Sequence, residues 1–396
     1  MRGDSVQTRR SVLLGAGTAA VGLAGGPRSA SAQDATPQAS PISRAPLWQT
    51  AWENGIVYGT SAATWQLDDA DYSALVDHEA AIVFTEDDLL WYKLKPTPDA
   101  ALDFTFGDQF IDLAERRGQL VFGAHLVWDE GFGEEWSEDD LWGMDEEIAR
   151  DVIMDTIATV AGRYRGRVAG WIVVNEAIDA HEDDGLRRDF PWYETIGPSY
   201  IGESFRAAHA ADPDALLVLN EFGFETDDEF DTAADKRAKA LLVLDSLLAE
   251  DVPVHAFGVQ AHLTADGFAK KFDAAGYQTF LAAIAERGLT ILITELDVLD
   301  DDLPADVAAR DRAVAVAYRL YLDAALAEPA VAAVMTFGLS DRYTWLQEDY
   351  PREDGAPRRP LPFDEELRPK PAYDALAIAL ENAPVRDPLW TPPRAG

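Results

Sequence analysis

Eight short apolar runs recur along the chain, and each is followed by a stretch with the spacing of an amphipathic helix. Runs this continuous in Val, Ile, Leu and Ala are typical of strands buried on both faces, as in parallel sheets covered by helices. Eight strand–helix units in 396 residues predict an α/β protein with one (β/α)8 TIM barrel. The runs span 56–63, 80–86, 119–128, 167–176, 215–222, 254–263, 289–298 and 330–338.

The segments between these runs predict helices that end at glycines. Gly118, Gly166 and Gly288 each stand just past a helical pattern, where a left-handed C-terminal cap is expected. A doubly wound open sheet is the alternative, but GTSAATW (59–65) lacks the glycines of a phosphate-binding loop after the first strand. The helices predicted with the strongest pattern span 106–118, 146–166, 233–250 and 307–328.

The N-terminal part of the chain has the composition of an export signal. Arg9 and Arg10 precede a Gly/Ala-rich apolar run, and ASA at 30–32 provides small residues for cleavage. This order predicts twin-arginine export and a secreted protein. We found no later run long enough to span a membrane, so no membrane association is expected after cleavage. The predicted organisation is a signal peptide over 1–32, a flexible linker over 33–46 and the barrel domain over 47–390.

Charge and cysteine content exclude several classes of function. The chain has 33 Lys and Arg against 71 Asp and Glu, a formal net charge of −38, which repels nucleic acid and anionic membranes. There is no cysteine, which excludes disulfides, thiolate metal sites and a cysteine nucleophile. We expect a monomer without a nucleic-acid partner, and we expect salt to stabilise it by screening self-repulsion.

Polar residues collect where the predicted strands end. A single such residue usually just meets solvent, but a barrel places its chemistry at the C-terminal ends of its strands, so the set predicts a functional rim. From strand two onward, the set comprises Glu86, Asp87 and Asp88; His125, Trp128 and Asp129; Asn175 and Glu176; Asn220 and Glu221; Gln260 and His262; Glu295 and Asp297; and Asp341 and Trp345 after strand eight.

Two of these carboxylates follow almost wholly apolar strands. Glu176 comes after WIVVN and Glu295 after TILIT, so both are expected to be partly shielded from water and to face each other across the barrel mouth. Carboxylates about 5 Å apart suit a retaining glycosidase and a wider gap suits an inverting one, and the sequence leaves this separation open. Asn175 is placed to bind a sugar 2-hydroxyl and Gln260 to position Glu176.

Other residues of the rim have two alternative uses. His262 and Asp297 are expected to orient Glu295, whereas the alternative makes His125, His262, Glu295 and Asp297 the ligands of a metal ion. No HxH or HExxH spacing supports the metal site, so no metal and no cofactor are expected. Flat faces for sugar rings are offered by Trp128, Phe337, Tyr343 and Trp345, and Trp345 lies in a polar loop that favours this use.

The motifs resemble those of glycoside hydrolase family 10, the retaining endo-β-1,4-xylanases. WIVVNEAID is similar to the acid/base motif of that family, FGVQAHL to its sixth-strand motif and ITELDV to its nucleophile motif. LSDRYTWL and PLPFDEELRPKPAYDAL are similar to its last loop and last helix, so the resemblance covers about residues 56–383.

The resemblance implies a polysaccharide substrate, xylan or a related β-glycan, with Glu176 as acid/base and Glu295 as nucleophile. Asn175, Gln260, His262 and Asp297 then support this pair. The residues expected to contact the substrate are Glu86, Asp87, His125, Trp128, Asp129, Glu221, Phe337, Tyr343 and Trp345.

The chain departs from the family pattern beside the catalytic pair. EDDLL stands where the family has a motif close to EN-x-M-K, and GAHLVWD stands where it has GHTLVWH. These changes remove donors and add carboxylates, which motivates a second hypothesis of another β-linked or decorated polysaccharide. A third hypothesis is a non-catalytic carbohydrate-binding barrel. The changed positions are Asp87 for Asn, Leu90 for Lys, Ala124 and Asp129 for two His, and Phe337 for Trp.

Overall fold

Nine short parallel strands form the centre of the protein in a computed structural model that describes residues 45–395. The predicted signal peptide and nearly all of the predicted linker lie outside the described residues. The strands are β1 (Val57–Ala62), β2 (Ile82–Thr85), β3 (Leu120–Gly123), β4 (Gly170–Asn175), β5 (Leu216–Glu221), β6 (Ala256–Val259), β7 (His262–Thr264), β8 (Thr290–Leu299) and β9 (Val331–Thr336).

The sheet closes on itself. Strands β1 to β6 pair in sequence order, β6 pairs with β8, β8 with β9, and β9 with β1, all in parallel. The short β7 continues the path of β6 and pairs with the end of β8. Eight barrel positions are therefore filled, each by one of the predicted runs, and the predicted (β/α)8 barrel is confirmed.

Helices separate the barrel strands and cover them from outside. The four strongest helix predictions are confirmed, although each observed helix ends one to three residues early, and Gly118, Gly166 and Gly288 have the expected positive φ of 65°, 73° and 76°. The helices are α1 (Leu47–Trp52), α2 (Thr64–Leu67), α3 (Ala70–Glu79), α4 (Trp91–Leu94), α5 (Thr105–Arg116), α6 (Glu138–Trp142), α7 (Glu146–Arg163), α8 (Pro191–Ile196), α9 (Ser199–Ala211), α10 (Ala233–Ala249), α11 (Phe268–Lys271), α12 (Ala274–Glu286), α13 (Val307–Ala325), α14 (Leu346–Asp349) and α15 (Pro371–Asn382), with 3₁₀ turns at Asp341–Tyr343 and Pro393–Ala395.

Neighbouring residues on several strands belong to different apolar clusters. On β2, Ile82 and Phe84 belong to a small cluster with residues from other strands, while Val83 belongs to the large cluster shared with the helices. On β4, Ile172 and Val173 divide in the same way. This alternation of period two gives the barrel a filled interior and a covered exterior, as in other TIM barrels.

Two predicted strands are shorter or broken. The third run was expected to continue to residue 128, but β3 ends at Gly123, before a cis peptide between Ala124 and His125. The sixth run is split into β6 and β7 because Ala261 has a φ of 64°, which interrupts a strand ladder. Both irregularities lie at the end of the barrel where the predicted polar residues collect. Among the described residues, we found no helix long and apolar enough to cross a membrane.

Candidate active site

Glu176 lies immediately after β4, in the turn by which the chain leaves the barrel. Its φ is 59°, and its backbone N–H donates to the carbonyl of Asn220 over 3.0 Å. The side chain is partly exposed, and Oε1 accepts hydrogen bonds from Gln260 Nε2 at 2.9 Å and Asn175 Nδ2 at 3.1 Å. No described residue donates a hydrogen bond to Oε2, so this oxygen is available to a ligand.

Glu295 lies within β8 and is only 5% exposed. Its Oε1 accepts a hydrogen bond from Asn220 Nδ2 at 2.7 Å, and His262 Nε2 lies 3.3 Å from Oε2. His125 Nε2 lies 3.9 Å from Oε1, the separation of an ion pair rather than a hydrogen bond. Burial raises the pKa of Glu295, but the two histidines outweigh it and lower the pKa to about 2. Glu295 is therefore a buried carboxylate that stays ionised.

His262 lies between two carboxylates. Its Nδ1 is 2.9 Å from Asp297 Oδ1, and its Nε2 faces Glu295. Burial lowers the pKa of His262, but Asp297 and Glu295 together raise it well above the ordinary value, which favours the protonated ring. Trp345 Nε1 donates to the other oxygen of Asp297 at 2.8 Å, which fixes the indole beside this cluster.

One buried amide joins the two glutamates. Asn220, at the end of β5, donates to Asn175 Oδ1 at 2.8 Å as well as to Glu295, and it accepts from Thr294 Oγ1 at 2.8 Å. Asn175 in turn donates to Glu176, so a continuous hydrogen-bonded chain runs from one carboxylate to the other. The structure thus brings Asn175, Gln260, His262 and Asp297 to the places expected from their strand ends, with Asn220 at the centre.

His125 is a buried imidazole without hydrogen bonds. It is 6% exposed, and neither ring nitrogen has a hydrogen-bond partner among the described residues. The ring packs against Trp128 with centroids 4.9 Å apart. A buried polar group without a partner is unfavourable, so this one is best satisfied by a polar ligand that enters beside Glu295.

Glu86 and Asp87, at the end of β2, are already bound to protein groups. Glu86 accepts from Ser61 Oγ at 2.6 Å and Gln66 Nε2 at 2.8 Å, and burial raises its pKa to about 7. The acceptors of Asp87 are also occupied, which leaves this carboxylate little capacity for a sugar hydroxyl. Its three donors are Trp65 Nε1 at 3.1 Å, Tyr92 OH at 2.6 Å and Lys93 Nζ at 2.6 Å.

Two further predicted contact residues also have protein partners. Asp129 pairs with Arg187, yet burial outweighs this cation and raises the pKa of Asp129 to about 6. Glu221 is fully buried, accepts from the backbone N–H of Ile178 at 2.6 Å and lies 3.2 Å from Lys236 Nζ. Glu221 therefore fixes the chain after β4 with a carboxylate that faces the interior, and its contact with substrate stays a prediction.

Three of the four predicted aromatic platforms form two groups at the mouth. Phe337 and Trp345 both lie against the His262 ring, with centroids 5.7 and 5.3 Å away. Tyr343 lies between these two residues in the chain, where its hydroxyl donates to Asp69 over 2.8 Å and its ring contacts Trp65. The first group thus borders Glu295 and its histidine, and the second lies beside β1.

Sequence reasoning assigned no role to several residues that hold the site together. Asn220 was visible as a strand-end amide, but Ser61, Gln66, Lys93 and Arg187 carried no local signal because their partners are distant in sequence. The metal alternative gains no support, since no metal-binding group of three or more His, Asp or Glu was found among residues 45–395.

Comparison with known proteins identifies the family of the chain. The model of Glycosyl hydrolase family 10 matches residues 47–379. Endo-1,4-beta-xylanase B of Thermotoga neapolitana is 31% identical over 330 residues, which cover 80% of this chain and 86% of that protein. Xylanase 10B from Thermotoga maritima has a TM-score of 0.74 and 31% identity, over 85% of this chain and 98% of its own. Xylanase 10B from Thermotoga petrophila RKU-1, solved with xylobiose, has a TM-score of 0.75 and 29% identity, over 86% of this chain and 99% of its own. The chain belongs to glycosyl hydrolase family 10 and is a glycoside hydrolase.

Proposed function

We propose that the protein is a retaining endo-β-1,4-xylanase in which Glu295 is the nucleophile and Glu176 the acid/base. The observation that supports this assignment most strongly is the difference between the two carboxylates. Glu295 is buried among donors that keep it ionised, whereas Glu176 is partly exposed and has an oxygen that no described residue binds. A double displacement needs this combination of a permanent anion and an accessible proton carrier.

In the first step, a Glu295 oxygen attacks the anomeric carbon while the bond from that carbon to the glycosidic oxygen breaks. Glu176 gives its proton to the departing oxygen, so the leaving sugar departs as an alcohol and a glycosyl–enzyme ester remains. In the second step, Glu176, now a carboxylate, takes a proton from water as the water oxygen attacks the anomeric carbon. The ester breaks, and both glutamates return to their starting states.

The surrounding residues have defined tasks in this scheme. Asn220 and His262 hold Glu295 in position and stabilise its charge, and Asn175 and Gln260 hold Glu176. His125 offers its unpartnered nitrogens to a hydroxyl of the sugar that contacts Glu295. Trp345 and Phe337 supply flat surfaces beside that sugar.

Xylan is the proposed substrate because the relatives are named xylanases and one was solved with xylobiose. A different β-linked or decorated polysaccharide is the second candidate. The observation that favours it is that Asp87 and Asp129 are tied to protein cations, while Leu90 and Ala124 offer no side-chain donor. Initial rates of reducing-sugar release on xylan, β-glucan and mixed-linkage glucan decide between them, and a clear preference for a glucan would reject the xylanase assignment.

The two glutamates are distinguished by substrates with different leaving groups. Glu295→Ala is expected to lose hydrolysis of both xylan and an activated aryl β-xylobioside, since both need the nucleophile. Glu176→Ala is expected to lose xylan hydrolysis but to form the glycosyl–enzyme readily from the aryl substrate, whose leaving group needs no proton. Near-normal xylan hydrolysis by either variant would refute the assignment, and sugar binding without turnover by the unmodified protein would favour the non-catalytic barrel.

We further propose that the protein works as a secreted monomer. Support for secretion comes from Arg9, Arg10 and the small residues at 30–32, with a barrel domain expected over 47–390. Replacing both arginines by lysine in the full chain is expected to abolish export, measured as activity in the medium. Unchanged export would contradict the twin-arginine assignment. Size-exclusion chromatography with light scattering tests the monomer.

A further inference from the structure

Trp65 is a large apolar side chain that remains exposed at the mouth of the barrel. It lies in α2, directly after β1, and at 53% exposure it is the most exposed tryptophan among the described residues. Scattered exposed aromatics are common on protein surfaces and carry no meaning on their own. The surroundings of Trp65 distinguish it from such residues.

Its indole is held in place from two sides. Nε1 donates to Asp87 Oδ2 over 3.1 Å, and the ring packs edge-on to Tyr343, with centroids 5.5 Å apart and planes at 87°. Asp87 is itself fixed by Lys93, and the Tyr343 hydroxyl donates to Asp69. An exposed aromatic ring held in this way has little conformational entropy left to lose when a ligand stacks on it.

Trp65 is also continuous with the proposed catalytic site. Gln66, the next residue, donates to Glu86 at the end of β2. On the other side, Tyr343 is two residues before Trp345, whose indole donates to Asp297 of the catalytic cluster. The order along the rim is therefore nucleophile cluster, Trp345, Tyr343, Trp65, which runs from β8 through the loop after β9 to the end of β1.

We propose that Trp65 is a sugar-stacking platform that binds a distal, uncharged β-linked pyranose of the same polysaccharide chain. The inference rests on the proposed function, and it assigns to that site a further subsite beyond the sugars in contact with the catalytic pair. An uncharged sugar fits because the adjoining carboxylates Asp87 and Asp88 share the single cation Lys93. The exposed aromatic face supplies apolar contact to a pyranose ring.

The test compares a long and a short substrate in the full-length protein. The quantity measured is the ratio of two specificity constants, kcat/KM for xylohexaose divided by kcat/KM for an aryl β-xylobioside. Trp65→Ala is expected to lower this ratio about three- to tenfold, the effect of losing one aromatic contact. Trp65→Phe retains a flat face without the N–H and is expected to recover most of the ratio. Leu242→Ala, which removes an exposed apolar side chain from α10, serves as the matched control and leaves the ratio unchanged.

The outcomes separate this inference from the function on which it rests. If the unmodified protein hydrolyses both substrates and Trp65→Ala has the same ratio, the platform is refuted and the xylanase assignment stands. If the unmodified protein hydrolyses neither substrate, the xylanase assignment fails and the platform fails with it. A fall in the ratio that Trp65→Phe does not recover would show that the indole N–H acts through Asp87, which also overturns stacking as the cause.

Discussion

Removal of the Asn220 side-chain amide is expected to raise the pKa of Glu295, the proposed nucleophile, and to misplace its carboxylate. In Asn220→Ala, Glu295 Oε1 loses the hydrogen bond that it accepts over 2.7 Å. A hydrogen bond to a charged group contributes about 1.5–3 kcal/mol, and one pKa unit corresponds to about 1.36 kcal/mol. The pKa of Glu295 is therefore expected to rise from about 2 to between about 3 and 4. At pH 6 the carboxylate stays ionised, so any loss of activity there reflects position rather than charge.

The assay is the pH dependence of kcat/KM for an aryl β-xylobioside, with each acid exposure followed by recovery of activity at pH 6. The pH at which kcat/KM falls on the acid side should rise by about 1–2 units. At pH 6, kcat should fall about 10- to 100-fold because Glu295 is misplaced. Thr294→Val is the control, because it removes the donor to Asn220 Oδ1 and leaves both bonds of the amide N–H₂ intact. An unchanged acid limb in correctly folded Asn220→Ala would refute the reasoning.

Three further predictions concern charge and stability. Replacing Arg187 by Met leaves Asp129 without its cation, so we expect the pKa of Asp129 to rise further above about 6. The free energy of unfolding at pH 7, measured by urea titration, should fall by about 2 kcal/mol, and it should fall less in Arg187→Lys. Burial raises the pKa of Glu225 to about 7, so the native state holds a proton that the unfolded state releases near pH 4.5, and stability is lost as the pH rises from about 4.5 through about 7. Glu225→Gln should remove up to about 3 kcal/mol of this loss. An equal dependence of stability on pH in both proteins would contradict the prediction. At a net charge of −38, the thermal midpoint should rise with molar NaCl, and a flat response would exclude self-repulsion as a limit on stability.

Local pattern predicted the barrel well because the signal for each strand and helix lies within its own residues. The run that ends at Glu176 and the run that contains Glu295 are apolar over nearly their whole length, which is typical of parallel strands buried on both faces. The predictions were weakest where backbone geometry departs from regular structure. Ala261 interrupts the sixth run, β3 ends at Gly123 instead of residue 128, and no residue type in either segment signals these changes.

The amino-acid pattern alone predicts the eight strand–helix units, the rim at which polar side chains gather and the pair Glu176 and Glu295. Which partner each polar group has depends on the tertiary structure, because those partners are far apart along the chain. Asn220 meets Asn175 and Glu295 across 45 and 75 residues, and Glu221 faces the interior only because Lys236 and the chain after β4 fold over it. A side chain's type is local, whereas the burial and hydrogen bonds that set its pKa and its task arise when the barrel closes.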